Sequence, residues 1–152
     1  MIKDITKPEI IQGGISIDDR GQIIYANDFN FADAGVKRFY AVSNHDINFV
    51  RSFHYHQKEA KYVVVLKGTA LVVIVKVDDP QNPDKLAIPQ KYVLSEKNQK
   101  ILYVPAAYAN GFKSLDADTN IVFFSTSTLE ESKGDDFRID WNYWSVWKND
   151  FR

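Results

Sequence analysis

The stretch RSFHYHQKEAK, residues 51–61, sets His54 and His56 in a His-x-His pattern, with Arg51 just before them and Glu59 and Lys61 just after. Two chemistries suit such residues. A pair of neutral imidazoles can ligate a metal, and an imidazole that titrates near neutrality can take a proton at one atom and return it at another. On a β-strand, side chains alternate between faces. His54 and His56 would then share a face with Ser52, and Arg51, Phe53 and Tyr55 would point the other way unless a bulge intervenes.

The surrounding sequence supplies strands to carry that stretch. Short runs rich in Val, Ile, Tyr and Phe recur about every ten residues with turn chemistry between them: EIIQGGISI, QIIYANDFNF, KRFYAV and INFVRSFHYH. AKYVVVLK and TALVVIVKV meet at Gly68 and read as a hairpin, followed by KYVLS, KILYVP and TNIVFFS. About ten strands in a single domain of 152 residues predict an all-β fold, a closed barrel or two-sheet jelly roll that leaves few free edges. A short helical turn is expected at LEESK. The aromatic cluster after it, with Trp141, Trp144 and Trp147, is expected to cap the barrel or a dimer contact.

Composition narrows the partners. With 45% hydrophobic and 14% aromatic residues the chain is globular. Its 19 basic and 20 acidic residues form no basic stripe, which argues against nucleic-acid binding. The absence of cysteine rules out disulfides, thiolate ligands and cysteine nucleophiles. No run approaches the roughly 20 apolar residues of a membrane span, and MIKDITKPEIIQGG lacks the core of a signal peptide, so a cytoplasmic protein with no membrane partner is expected.

The metal reading can be tested by register. A barrel-borne His-x-His resembles the cupin metal centre, which also uses a glutamate a few residues on and a third histidine after a Pro-containing turn. Counted back from Gly68, the glutamate's position holds Lys61, with Glu59 two residues off, and PAAYAN offers Asn110 in place of the third histidine. An ammonium at ligand distance repels a divalent cation. No metal and no other cofactor is expected. Imidazoles beside Lys61 instead suit a reaction that develops negative charge, such as proton transfer next to a carbonyl, where a nearby cation stabilises the enolate. His45, in the turn-like SNHD, reads as structural.

The order DDRG (18–21), KRFY (37–40), RSFHYH (51–56), LKG (66–68), YVPAAYANGF (103–112) and DDFRIDWNYW (135–144) resembles the RmlC-like cupins that act on nucleotide-linked 4-keto-6-deoxy sugars. The resemblance runs from about residue 13 to residue 144 and implies a cupin-type jelly-roll β-barrel, a homodimer and a nucleotide-sugar ligand. Two branches are in view. The dTDP-4-dehydrorhamnose 3,5-epimerases carry Arg-Gly-Leu-His-Tyr-Gln where this chain has RSFHYH. That resemblance implies that His54 is the general base and that Arg51 and Arg20 contact the nucleotide phosphates, but it puts Asn110 at a histidine position and Phe123 or Phe124 at a tyrosine position. The sugar-nucleotide 3,4-ketoisomerases, or WxcM-like proteins, resemble it in the KRFY strand, the His-x-His pair and the Asp-Asp-Phe-Arg-x-Asp ending. That branch implies that His54 and His56 shuttle a proton between C3 and C4. The expected machinery is therefore His54 and His56 for catalysis, with Arg20, Arg51, Lys61, Tyr40, Tyr108 and Asn110 around the substrate. Lys61 or Asn110 would hold the enediolate oxygen, and Tyr40 and Tyr108 would line the pocket, relay a proton or pack in the core.

Overall fold

A computed structural model describes residues 2–149. The elements run β1 (Glu9–Gln12), β2 (Gly14–Asp18), β3 (Gly21–Tyr25), α1 (Phe31–Ala34), β4 (Arg38–Val42), β5 (Val50–Tyr55), β6 (Lys61–Lys67), β7 (Thr69–Lys76), β8 (Gln90–Ser95), β9 (Lys100–Val104), β10 (Tyr108–Ser114), β11 (Asn120–Ser125), α2 (Leu129–Lys133) and β12 (Phe137–Arg138). Two five-stranded antiparallel sheets, β1-β9-β6-β11-β4 and β12-β5-β10-β7-β8, form an all-β jelly roll of the RmlC-like cupin kind, and β2 and β3 make a separate hairpin. The two sheets share no ladder among the described residues, so the barrel is open.

The alternation of apolar residues explains this layering. Inward-facing positions such as Val63, Val65, Val72, Ile74, Leu102, Ile121 and Phe123 fill the space between the sheets. Each such side chain contributes roughly 1.5–3 kcal/mol on leaving water. The second apolar set of each strand is also covered. Val73, Val75, Phe53 and Tyr55 lie under Val146, Trp147 and the partly buried Trp144 on one outer face. Tyr62, Val64, Tyr103 and Val122 lie under Phe29, Ala34 and Val36 on the other. Trp144 and Trp147 thus serve as a coat on the outside of a sheet, while Trp141 remains half exposed.

The hairpin expected at Gly68 does not form. β6 pairs with β9 and β11 in one sheet, and β7 pairs with β10 and β8 in the other. Gly68 is a corner between sheets: its φ is +74°, and a Cβ there would stand 2.5 Å from Thr119 Oγ1, so the tight crossing requires glycine. The expected helical turn is α2, closed by a capping box in which the Thr128 hydroxyl accepts from the Glu131 amide and the Glu131 carboxylate accepts from the Thr128 amide. No helix among the described residues is long and apolar enough to cross a membrane.

Candidate active site

The His-x-His strand ends at one mouth of the sandwich, where inward-facing side chains become polar. A cavity of about 330 Å³ there is lined by Arg38, Tyr40, His54, His56, Lys61, Asp136 and Arg138, with Leu129, Ser132 and Lys133 of α2 on its rim. That volume is at the small end of the ~300–1,000 Å³ usual for ligand pockets, so it suits one sugar ring better than a whole nucleotide. A larger hollow of about 850 Å³ lies elsewhere, walled by loop residues such as Asn44, His45, Asp116 and Asp118. It gathers no buried charged group, and the smaller cavity is where the chemistry converges.

β5 presents His54, and His56 follows directly after its end. His54 lies opposite Asn110 on β10, and Arg51 lies opposite Phe112, so three steps on β5 match two on β10. This bulge corrects simple alternation: Arg51 shares the face of His54, because Asn110 and Phe112 share a face. Its guanidinium is turned to Asn44, where Nε donates to Oδ1 at 2.8 Å, and it is exposed outside the cavity wall. Arg20 sits at the tip of the β2–β3 hairpin, exposed and paired with Asp18, also away from this cavity. Tyr108 is buried in the inter-sheet core. Asn110 is buried too, and its amide donates to the backbone oxygen of His54 at 3.1 Å, tying β10 to β5. Of the sequence candidates, the structure brings together His54, His56, Lys61 and Tyr40.

Four further residues complete the cluster. Glu59 is in the loop between β5 and β6 with a fully buried side chain. Its Oε1 accepts from Ser125 Oγ at 2.9 Å and from Arg38 at 3.4 Å, and Lys61 Nζ stands 3.8 Å away. Its Oε2 is 3.5 Å from His56 Nδ1. The motif DDFR divides its labour. Asp135 accepts from the amides of Gln57, Lys58 and Glu59, pinning that loop. Asp136 and Arg138 enter the cavity: Arg138 Nε donates to both Asp136 oxygens at 3.1 and 3.0 Å, and its terminal nitrogen meets His54 Nε2 at 3.3 Å. Because β12 pairs with β5, Arg138 stands directly opposite His54.

The electrostatics keep both imidazoles neutral. Burial, then the charges of Arg138 and Lys61, push His54 down to about 4. Burial and Lys61 also hold His56 below the usual imidazole range, against the opposing pull of Glu59 and Asp136. Burial lowers the Lys61 ammonium, with Glu59 resisting. Burial, reinforced by the Glu59 charge, pushes the Tyr40 phenol well above its ordinary value, although Arg38 lies over its ring at 5.1 Å. Burial alone would raise Asp136, but the Arg138 hydrogen bond and charge outweigh it and keep the carboxyl low. At neutral pH the site therefore offers two unprotonated bases, a protonated phenol and cations placed where negative charge can develop. Among the described residues no group of three or more His, Cys, Asp or Glu side chains is placed to hold a metal ion.

An open cupin sandwich with two imidazoles, a phenol and several charged side chains gathered at its mouth defines the class. The sequence profile of the dTDP-4-dehydrorhamnose 3,5-epimerase family matches residues 4–146, and the chain belongs to that family, which makes it an isomerase-type enzyme of dTDP-sugar metabolism. It is 26% identical over 108 residues to the spore coat polysaccharide biosynthesis protein SpsL of Bacillus subtilis, covering 68% of this chain and 70% of that one. Among solved structures it is similar to ChmJ, a 3'-monoepimerase from Streptomyces bikiniensis crystallised with dTDP-quinovose, with a TM-score of 0.75, 19% identity and coverage of 95% and 77% of the two chains. It is also similar to a 3,4-ketoisomerase from Helicobacter canadensis, with a TM-score of 0.66, 14% identity and coverage of 90% and 94%. At these identities the two structures establish the shared fold.

Proposed function

We propose that the chain moves the carbonyl of a dTDP-linked 4-keto-6-deoxy sugar between C4 and C3, in the biosynthesis of a deoxysugar for surface polysaccharide. The observation that carries this reading is that both imidazoles, His54 on β5 and His56 just past its end, line one small cavity while Phe123 on β11 has no hydroxyl. A proton removed and returned on one side of the ring suits carbonyl migration. In the reaction, His54 takes the proton from C3 and the electron pair of that bond forms the enediolate. Protonated His54 then delivers a proton to C4. His56 Nε2 assists by taking the C3 hydroxyl proton and passing it to O4, so that the carbonyl reforms at C3 and O4 becomes a hydroxyl. Lys61, which lines the cavity, is assigned to hold the enediolate oxygen, since the amide of Asn110 is already engaged by β5. Arg51 and Arg20 are assigned to the diphosphate, where a planar fork binds well, reached from outside the cavity.

One observation favours a second reading, a 3,5-epimerase. Tyr40 comes from the opposite sheet and is stacked on Phe123, so its phenol can stand in for an acid on the other side of the sugar. A sugar-nucleotide-binding cupin without catalysis is the third. Incubation with dTDP-linked 4-keto-6-deoxyglucose in deuterated water separates them: label at C4 with a C3 carbonyl supports migration, label at C3 and C5 supports epimerisation, and no exchange leaves the binder. We also propose a homodimer, since Ile17 and Ile23 of the β2–β3 hairpin are largely exposed. A monomeric mass by light scattering would contradict it.

A further inference from the structure

We infer that Glu59 is a positioning residue, one that holds His56 with its proton on Nδ1 so that the Nε2 lone pair faces the sugar. This rests on the proton-transfer reading of the cavity and assigns that reading a residue outside the His-x-His pair. Among the described residues three buried side-chain polar atoms lack a hydrogen-bond partner, Ser52 Oγ, His56 Nδ1 and Glu59 Oε2, and the last two face each other across 3.5 Å. The other carboxylate oxygen is committed: Ser125 donates to it at 2.9 Å and Arg38 at 3.4 Å, with Lys61 at 3.8 Å. Arg38 and Lys61 make Glu59 the counter-ion of two cations. An ionised carboxylate only accepts, so the proton between the two atoms belongs to Nδ1. Nε2 is then left as the acceptor, on the side where Asp136 stands 3.9 Å away and the cavity opens.

The loop gives Glu59 little freedom. Asp135 binds the amides of residues 57, 58 and 59, and the Ala60 amide donates to Thr126 Oγ1 at 2.9 Å. A carboxylate so fixed, behind a base that faces the substrate, follows the logic of an acid that orients a catalytic histidine. Glu59→Gln keeps the shape but reverses that logic. With its oxygen still turned to Arg38, its amide would donate to His56 Nδ1 and force the proton onto Nε2.

The test is nitrogen-15 NMR of the full chain labelled in histidine, near neutral pH, with His56→Asn identifying the His56 signals. Wild type should show His56 protonated on Nδ1, and Glu59→Gln should show it protonated on Nε2. Wild type protonated on Nε2, or a Glu59→Gln protein whose tautomer is unchanged, would overturn the inference. The wild-type spectrum decides even where the variant folds poorly. On a turned-over sugar nucleotide, Glu59→Gln should lose kcat by on the order of 10³-fold with KM within about threefold, and Glu59→Asp should recover part of it. A chain with the expected tautomers and no turnover would retire the isomerase reading and leave the role of Glu59 standing. Turnover by a chain protonated on Nε2 would retire Glu59 alone.

Discussion

The ring of Tyr40 lies flat on that of Phe123, with centroids 5.0 Å apart and planes 8° from parallel. The two residues are register partners on β4 and β11, and Phe123 is buried in the inter-sheet core while Tyr40 reaches the cavity. The phenol of the cavity wall is thus supplied by β4. Tyr40→Phe keeps the stack and removes only the hydroxyl, so its melting temperature should match wild type within a few degrees. Under the epimerase reading, loss of this proton donor should lower kcat by on the order of 10²–10⁴, whereas carbonyl migration by the histidine pair should proceed close to the wild-type rate. Unchanged turnover would make Tyr40 a packing residue.

The depressed value of His54 sets a pH window. Its folded value near 4 lies below the ordinary 6.5, so the unfolded chain takes the proton first on acidification. The stability that the neutral ring contributes is full above about 6.5 and is lost as pH falls toward 4. Activity that depends on neutral His54 should persist well below pH 6.5 and fall only toward 4. A proton-NMR titration placing His54 near 6.5 would contradict this.

Arg138 adds to that depression through its contact with His54 Nε2. Arg138→Met should raise the His54 midpoint while leaving it below 6.5, because burial is the larger cause. The same titration reads the shift. A midpoint that stays at the wild-type value would show that the contact does not bear on His54.

Asp135 should matter to stability. Asp135→Ala strands the amides of Gln57, Lys58 and Glu59. The cost should be about 3 kcal/mol, seen as a lower denaturant midpoint. A change within about 0.5 kcal/mol, as at ordinary surface positions, would contradict the structural role.

Much of the fold was legible because strand alternation is a local signal. KYVVVLK and TALVVIVK are strands as read, but their pairing is a long-range fact, and adjacency across Gly68 misled where the chain crosses between sheets. Phe123 and Phe124 could not be told apart as inward or outward until the β11 register was known; Phe124 packs outside, on Phe29 and Phe31. In the site, His54, His56 and Lys61 were readable from residue type and spacing. Glu59 was set aside as two residues off the register counted back from Gly68, yet it stands in the loop before β6, where that strand register does not apply. Arg38, Asp136 and Arg138 lay inside the motifs KRFY and DDFR without a role. Only the pairing of β12 with β5 brings Arg138 to a histidine 84 positions away.

Solvent exchange on the sugar tests the central claim most directly. With dTDP-linked 4-keto-6-deoxyglucose in deuterated water, the wild-type chain should place deuterium at C4 of a product whose carbonyl is at C3. The His54→Asn, His56→Asn double variant should place none. Label confined to C3 and C5, or equal exchange by the double variant, would contradict carbonyl migration by the His-x-His pair.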